Sequence, residues 1–114
     1  MEVINLKDKQ GFHQNGTCLQ GYLKAEINDI IALMGDPDSE PSGDLKIEWE
    51  WTYKLNGDVV TIYNYKDGPL YSNDDNITIN DITEWHVGGK TEKVIDLLRE
   101  YLNQNNIECA VYAY

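Results

Sequence analysis

The feature that most constrains the fold is residues 46–66, which read KIEWEWTYKLNGDVVTIYNYK. The first half alternates apolar and polar residues with a period of two, which is typical of a strand with one buried face. Asn56-Gly57 follows and predicts a type I′ turn, because that turn needs positive φ at both central residues. The β-rich run from Val59 to Tyr65 then completes an antiparallel hairpin. Its inward apolar positions are Ile47, Trp49, Trp51, Tyr53 and Leu55.

The turn fixes the register of this hairpin and therefore its two faces. With Leu55 opposite Asp58, Trp51 pairs with Ile62 on the face that is predicted to line the core. The opposite face mixes tyrosines with carboxylates, a composition that suits a wet surface able to bind a partner. The residues of that face that we expect to bind a partner are Glu48, Glu50, Tyr63 and Tyr65.

Two helices are predicted from apolar residues at helical spacing. The first runs from Ile27 to Met34, where Gly35 suits the C′ position and Pro37 prevents continuation. The second follows Thr91, which is the predicted N-cap. Its apolar stripe consists of Val94, Ile95, Leu97, Leu98, Tyr101 and Leu102.

Four shorter β-like runs accompany the hairpin, at residues 3–6, 18–23, 82–87 and 107–112. Gly21 is a predicted bulge or point of close backbone approach, and Gly88-Gly89 is predicted to end the third run. Polar segments at residues 11–16, 36–44 and 67–81 read as loops. The order predicts an α+β fold, with one mainly antiparallel sheet of about five or six strands and two helices packed on one face.

The composition supports a single folded domain over residues 1–114. The chain has 41% hydrophobic residues and 11% aromatic residues, which excludes intrinsic disorder despite its charge. Tyrosine is abundant, with eight residues against one phenylalanine. Tyrosines close a core while leaving hydroxyl groups near the surface, as interaction faces often do.

The chain carries 20 acidic and nine basic residues, for a formal net charge of −11. This charge repels phosphates, so it disfavours direct nucleic-acid binding and docking on anionic membranes. Solubility and a halophilic source are two simple explanations of the charge. A third explanation is a basic partner, such as a nucleic-acid-handling protein whose groove an acidic surface could occupy.

The start MEVINLKDKQ lacks the basic and apolar regions of a signal peptide, and no apolar run is long enough to span a membrane. We therefore expect a protein of the host cell cytoplasm. Cys18 and Cys109 lie in β-like segments with apolar neighbours, which predicts buried thiols rather than a disulfide.

No catalytic or cofactor signature is complete. His86, in the segment EWHVGG, could act as a general base, but no nucleophile lies near it in the sequence. Gly88-Gly89-Lys90-Thr91 resembles the end of a phosphate loop, but the full pattern requires a glycine where Glu84 stands. The acidic loops do not match the calcium-loop pattern either. We expect no enzyme activity, no cofactor and no metal.

The acidic residues are concentrated on either side of the hairpin. Residues 36–50 contain six acids and only Lys46 as a base, and residues 67–84 contain five acids and no base. If both segments lie on one side of the fold, they create the concentrated negative field that a mimic of phosphates would use. The candidate partner-binding acids in these loops are Asp36, Asp38, Glu40, Asp44, Asp74, Asp75 and Asp81.

Three segments together resemble a family of small uncharacterised proteins of phages and large DNA viruses. They are Met34-Gly35-Asp36-Pro37, the hairpin, and the Trp85-His86-Val87-Gly88-Gly89 segment. The resemblance covers roughly residues 18–90 and leaves out the C-terminal strand. It implies an origin in a virus or mobile element, and it transfers no catalytic residue.

The leading hypothesis is a non-enzymatic phage or mobile-element accessory protein that inhibits a host defence or nucleic-acid-processing protein. Anti-CRISPR and anti-restriction inhibitors, including acidic DNA mimics, are examples of this class. The expected partner is a basic host protein, and a homodimer remains open. One alternative is a sponge for a nucleotide immune messenger, bound between aromatic rings and Gly88-Gly89 with Lys66, Lys90 and Lys93 nearby. An immunity protein against a basic toxin nuclease is another, and a catalytic role ranks last.

Overall fold

The computed structural model describes residues 1–7 and 16–114. Within these residues the chain forms one antiparallel sheet in the order β1-β3-β4-β5-β2-β6. The strands are β1 (Val3–Asn5), β2 (Cys18–Lys24), β3 (Glu50–Leu55), β4 (Asp58–Tyr63), β5 (Glu84–Gly89) and β6 (Ala110–Ala113). The helices are α1 (Ile27–Met34), α2 (Pro69–Ser72) and α3 (Lys93–Gln104), with a 3₁₀ turn at Ile79–Asp81. The predicted α+β fold is confirmed.

The central hairpin of β3 and β4 has the predicted turn and register. Leu55 pairs with Asp58, and Trp51 pairs with Ile62. Asn56 has a φ of 47° and Gly57 a φ of 86°, so both central residues occupy the left-handed region that a type I′ turn requires.

The hairpin ladder is shorter than the sequence pattern indicates, because it ends at the pair Glu50–Tyr63. Beyond that pair, the buried side chain of Asn64 also links the two segments. Its Oδ1 accepts hydrogen bonds from the backbone N–H groups of Glu48 and Trp49, each at 2.9 Å. The amide side chain therefore adds to the backbone hydrogen bonds that continue here, from the Asn64 N–H to the Trp49 carbonyl and from the Lys66 N–H to the Lys46 carbonyl.

The core lies between one face of the sheet and the helices α1 and α3. Trp51 and Trp85 meet edge to face, with ring centroids 5.2 Å apart. The indole N–H of Trp51 donates to the Gly35 carbonyl at 2.9 Å, and the Tyr53 hydroxyl donates to the Met34 carbonyl. Core aromatics thus satisfy carbonyl groups at the end of α1, which the helix itself leaves without partners.

Gly21 is the predicted point of close approach. The register of β2 against β5 shifts between Leu19 and Gly21, which confirms the bulge. A Cβ atom at Gly21 would overlap the Tyr112 carbonyl oxygen and the Cδ1 atom of Ile95. Both the neighbouring strand and α3 therefore require glycine here.

Gly88 and Gly89 belong to the strand that they were predicted to end, so that prediction is wrong. Both residues lie inside β5, where they pair with Thr61 and Val60 of β4. A Cβ atom at Gly88 would overlap Thr61 Oγ1, and one at Gly89 would press into the Val94 side chain. The absence of a side chain at these two positions lets Thr61 and Val94 pack directly against the backbone of β5.

The ends of the last two elements differ from the predictions. Helix α3 begins at Lys93 with Glu92 at the N-cap, and no side chain makes a cap hydrogen bond, so the prediction of Thr91 as N-cap is wrong. Strand β6 begins at Ala110, three residues after the start predicted at Ile107.

The predicted loop at residues 67–81 contains helix α2 and the 3₁₀ turn. Pro69 occupies the first turn of α2, and Asn73 closes it with a φ of 51°. Asp81 and Thr78 form a capping box at the 3₁₀ turn. Single turns such as these carry too little apolar periodicity to be seen in the sequence. The predicted loop at residues 11–16 lies, apart from Gly16, outside the described residues.

Both cysteines are free thiols, but they differ in exposure. Cys109 is half-buried, whereas Cys18 is exposed, so the expectation of a buried thiol is wrong for Cys18. Cys18 opens β2, and its Sγ lies at the surface, 3.2 Å from Gln20 Nε2.

Replacement of Gly21 by alanine should destabilise the fold by about 1–3 kcal/mol, because the new methyl group has no room between Tyr112 and Ile95. Gly43→Ala is the matched control, since a Cβ atom there meets nothing within 4 Å. We expect the control to change stability by less than about 0.5 kcal/mol. Urea denaturation measures both changes, and equal stabilities of the two variants would contradict the close approach.

Candidate functional site

A row of aromatic side chains crosses the face of the sheet that points away from the core. Tyr63 pairs with His86, His86 with Tyr22, and Tyr22 with Tyr112, across β4, β5, β2 and β6. Residues that pair directly on neighbouring strands face the same side. Each ring also follows or precedes a buried apolar residue in the chain, such as Trp85 before His86, so strand alternation turns the rings outward.

We call this surface the tyrosine row. It consists of the paired residues with two flanking tyrosines, namely Tyr22, Tyr63, Tyr65, His86, Tyr112 and Tyr114. His86 lies at its centre, with ring centroids 5.1 Å from Tyr22, 5.4 Å from Tyr63 and 5.2 Å from Tyr65. Tyr112 lies 5.4 Å and Tyr114 6.4 Å from Tyr22. These spacings are those of interacting aromatic pairs, so the rings form one continuous surface.

Three groups of the tyrosine row have pKa values shifted in the direction that favours their neutral forms. Burial lowers the pKa of His86, although Asp67 and Glu84 act in the opposite direction. Burial also raises the pKa of Tyr63, with a further contribution from the Glu50 carboxylate. The Tyr112 hydroxyl donates a hydrogen bond to Glu84 at 2.8 Å, and this bond is the main cause of its raised pKa.

Two lysines lie over the outer rings of the row. Lys24 Nζ is 5.8 Å from the centroid of Tyr112, and Lys66 Nζ is 5.4 Å from that of Tyr65. Both distances fall within the range of cation–π attraction. The rings of Tyr112 and Tyr65 therefore each have a cationic group of this chain within cation–π range.

Both acidic segments reach the same end of the sheet. The pairs Glu50–Tyr63 and Tyr63–His86 place the start of β3, the end of β4 and the start of β5 side by side. Asp38 also pairs with Glu50 through the backbone, which holds the first acidic loop against β3. We call residues 36–50 and 67–84 together the acidic end.

The opposite end of the sheet has a balanced charge. It is formed by the Asn56-Gly57 turn and the connection from β5 to α3. Among the described residues, its charged groups include three acids and three bases, namely Glu2, Asp58, Glu92, Lys54, Lys90 and Lys93. Lys93 forms a salt bridge with Asp58 at 3.4 Å. The negative charge of the molecule is therefore polarised toward the acidic end.

The predicted loop acids are all exposed, and several of them also shape their loops. Asp38 accepts a hydrogen bond from the Glu40 N–H, and Asp74 accepts one from the Asn76 N–H. Asp44 accepts from Ser42 and the Lys46 N–H, and these bonds lower its pKa. The exposed acids are Asp36, Asp38, Glu40, Asp44, Asp74, Asp75 and Asp81.

Glu48 does not lie on the exposed face of the hairpin, where the alternation predicts it beside Tyr63 and Tyr65. It is only 4% exposed, and its carboxylate accepts a hydrogen bond from the Leu70 N–H at 2.7 Å. The alternation of residues 46–55 placed it outward beside Tyr65, but β3 begins only at Glu50, so the alternation does not apply. Glu50 is half-buried, whereas Tyr65 is 37% exposed. The expected surface position of Glu48 is wrong.

A shallow depression of about 540 Å³ lies beside the tyrosine row at the acidic end. Lys24 and Glu84 form its edge next to Tyr112. Three more carboxylates line it, from Glu26, Asp29 and Glu108. The acidic character of this end therefore continues around the sheet, from the loops to the start of α1 and the approach to β6.

Trp85 and Gly88 are not accessible to a nucleotide, whereas the alternative hypothesis of a nucleotide sponge requires such access. Trp85 is fully buried in the core, and Gly88 is packed against Thr61. Lys66 lies at the acidic end, whereas Lys93 pairs with Asp58 at the opposite end. Among the described residues, no cluster of three or more His, Cys, Asp or Glu side chains has the arrangement of a metal site.

The tyrosine row cannot be predicted from the sequence alone. The sequence pattern places Tyr22 and Tyr112 in strands and makes His86 a candidate catalytic base, without bringing the three rings together. The available signal was local, because each ring alternates with a buried apolar neighbour. The missing information was the order of the strands, which places β2 between β5 and β6.

None of the helices in the described part of the chain is long and apolar enough to cross a membrane. Comparison with protein-family models, curated proteins and solved structures finds no match to this chain. The function is therefore inferred from the chemistry of the acidic end and the tyrosine row.

The free energy of unfolding should decrease as the pH falls below about 6.5, the ordinary pKa of histidine. The reason is that His86 has a lowered pKa in the folded state, so the unfolded chain takes up the proton first. Above that pH both states hold a neutral imidazole, and this contribution is fully present. His86→Phe should remove part of the pH dependence between about pH 7 and pH 5. Urea denaturation measures the free energy of unfolding of both proteins at each pH. If it changes with pH by the same amount in both, the burial of a neutral His86 is contradicted.

Proposed function

We propose that this protein is a non-enzymatic inhibitor that binds a basic host protein through its acidic end and tyrosine row. The expected targets are defence or nucleic-acid-processing proteins, and the sequence resemblance suggests a phage or mobile-element origin. The observation that carries the proposal is the convergence of both acidic loops at one end of the sheet, directly beside the row. A basic groove that accepts phosphates also accepts such an array of carboxylates.

The polarised charge favours association with a basic surface in one orientation. Exposed carboxylates at the acidic end attract the partner, while the balanced opposite end contributes little to the field. Such steering raises the association rate and is screened beyond a Debye length of about 8 Å at physiological salt. The acidic end therefore acts mainly during encounter and in the choice of partner.

The tyrosine row supplies the contacts that hold a bound partner. Tyrosine is enriched at protein interfaces, because it offers a large rigid ring and a polar hydroxyl at low entropic cost. The half-buried rings of Tyr22, Tyr63 and Tyr112 are already ordered by their neighbours. Binding through them costs less conformational entropy than binding through mobile surface side chains.

The same surface would serve an immunity protein against a basic toxin nuclease. That function and the inhibition of a defence protein differ only in the identity of the basic partner. Identification of the partner from a host lysate, by capture at low and high salt and mass spectrometry, separates the two.

A nucleotide sponge is a second candidate, and the positions of Lys24 and Lys66 favour it. A base could stack on the tyrosine row while either ammonium group pairs with a phosphate. The carboxylates of Asp67 and Glu84 lie close enough to affect His86 and would repel that phosphate. Inhibition of a basic protein is therefore the stronger proposal. Ultraviolet absorbance near 260 nm in the purified protein would support the sponge instead.

Neutralising the first acidic loop should slow association with the captured partner and weaken its salt dependence. The variant carries Asp36→Asn, Asp38→Asn, Glu40→Gln and Asp44→Asn. Asparagine keeps the Oδ1 acceptors that shape this loop, so we expect the fold to persist with little loss of stability. Stopped-flow or surface-based kinetics at two salt concentrations measure the association rates.

The control variant removes the same number of charges away from the acidic end, at exposed positions just before β1, at the N-cap of α3 and within α3. It carries Glu2→Gln, Glu92→Gln, Asp96→Asn and Glu100→Gln. Both variants have the same net charge, so only the position of the charges differs. Association rates that fall equally in both variants would contradict a localised acidic site.

A further inference from the structure

The tyrosine row offers a basic partner ring surfaces, in addition to the negative charge of the neighbouring acidic end. We propose that it binds arginine side chains presented by an extended segment of the basic partner. This inference rests on the proposed function and names the group that the surface recognises. It adds a short-range selection by the rings to the long-range attraction of the acidic end.

The size of the row fits an extended segment. Neighbouring strands lie about 4.8 Å apart, so the span from Tyr63 on β4 to Tyr112 on β6 is about 14 Å. Alternate side chains of an extended peptide lie about 7 Å apart, and therefore two or three of them can face the row at once. The rings form a continuous surface rather than a closed pocket, which suits a chain crossing the strands.

The chemistry of the row favours a cation. Lys24 and Lys66 already place ammonium groups near Tyr112 and Tyr65. Burial lowers the pKa of His86, so its imidazole is neutral at pH 7 and does not repel a cation. Tyr22 and Tyr63, which touch this imidazole, offer further ring surface to a partner's side chain.

Arginine fits this surface better than lysine. Its planar guanidinium stacks on aromatic rings and still donates in-plane hydrogen bonds, whereas an ammonium group is more strongly hydrated. Glu84 lies on the same face of β5 as His86, and its carboxylate accepts a hydrogen bond from the Tyr112 hydroxyl at 2.8 Å. A guanidinium that stacks on the rings can therefore donate to a carboxylate at the same time.

Single-stranded nucleic acid is the competing occupant, because bases also stack on aromatic platforms. Nucleic-acid sites of that kind combine their rings with a positively charged groove. The acidic end provides the opposite charge directly beside the tyrosine row. The balance of charge therefore favours a cationic peptide over a phosphate backbone.

The test compares two peptides of about seven residues, in which serine alternates with either arginine or lysine. Calorimetry should show that the arginine peptide binds about fivefold or more tightly than the lysine peptide. Tyr22→Leu and Tyr63→Leu keep the apolar bulk but remove the ring, so each should reduce this preference. Tyr65→Leu provides a more exposed third variant, and thermal melting checks that each variant is folded.

Tyr71→Leu is the matched control, because Tyr71 is an exposed tyrosine on α2 outside the tyrosine row. It should leave the preference for arginine unchanged. Equal affinity for the two peptides would overturn the proposal, and so would a preference that survives in the folded leucine variants. Tighter binding of a single-stranded oligonucleotide would overturn it in favour of nucleic acid.

This inference and the proposed function fail in different ways. The variant with four neutralised loop acids should weaken both peptides to a similar degree and keep the preference for arginine. If the preference is absent but that variant still slows association with the captured partner, the proposed function stands and the inference fails. If the preference is present but the loop variant and its control associate equally fast, the localised acidic site fails instead.

Discussion

The edge-to-face packing of Trp51 against Trp85 fixes which side of the sheet each residue faces. Both indoles lie under the helices, and the alternation of side chains then turns His86 and Tyr63 to the opposite side. A slip of one residue in the register would exchange the two faces completely. The buried tryptophans and the bulge at Gly21 therefore position the tyrosine row as strictly as they position the core.

The connections between the strands place the acidic loops next to the tyrosine row. The antiparallel order brings the start of β3, the end of β4 and the start of β5 to one end of the sheet, so both acidic loops emerge there. Attraction by the loops is long-ranged and sensitive to salt, whereas contact with the rings is short-ranged and depends on shape. In the proposed function, the two together would first attract and then select a basic partner.

Local signals in the sequence predicted local structure well. The Asn56-Gly57 turn, the hairpin register, the bulge at Gly21 and both main helices are confirmed. The errors arose where tertiary contacts override a pattern. Glu48 is buried because β3, with its alternation, starts two residues later. Gly88-Gly89 lies within a strand, where Thr61 and Val94 pack against the two positions without side chains. The tyrosine row was missed because the sequence does not encode strand order as a readable pattern.

The central claim is that one face of the sheet forms the core while the other binds a cationic partner through aromatic rings. Titration of ¹⁵N-labelled protein with the arginine peptide, followed by two-dimensional NMR, tests this claim most directly. The account predicts that the largest shift changes fall on β2, β4, β5 and β6, at and next to Tyr22, Tyr63, His86 and Tyr112. Shift changes confined to the outer surface of α3, or to the end of the sheet near Lys90 and Lys93, would contradict it.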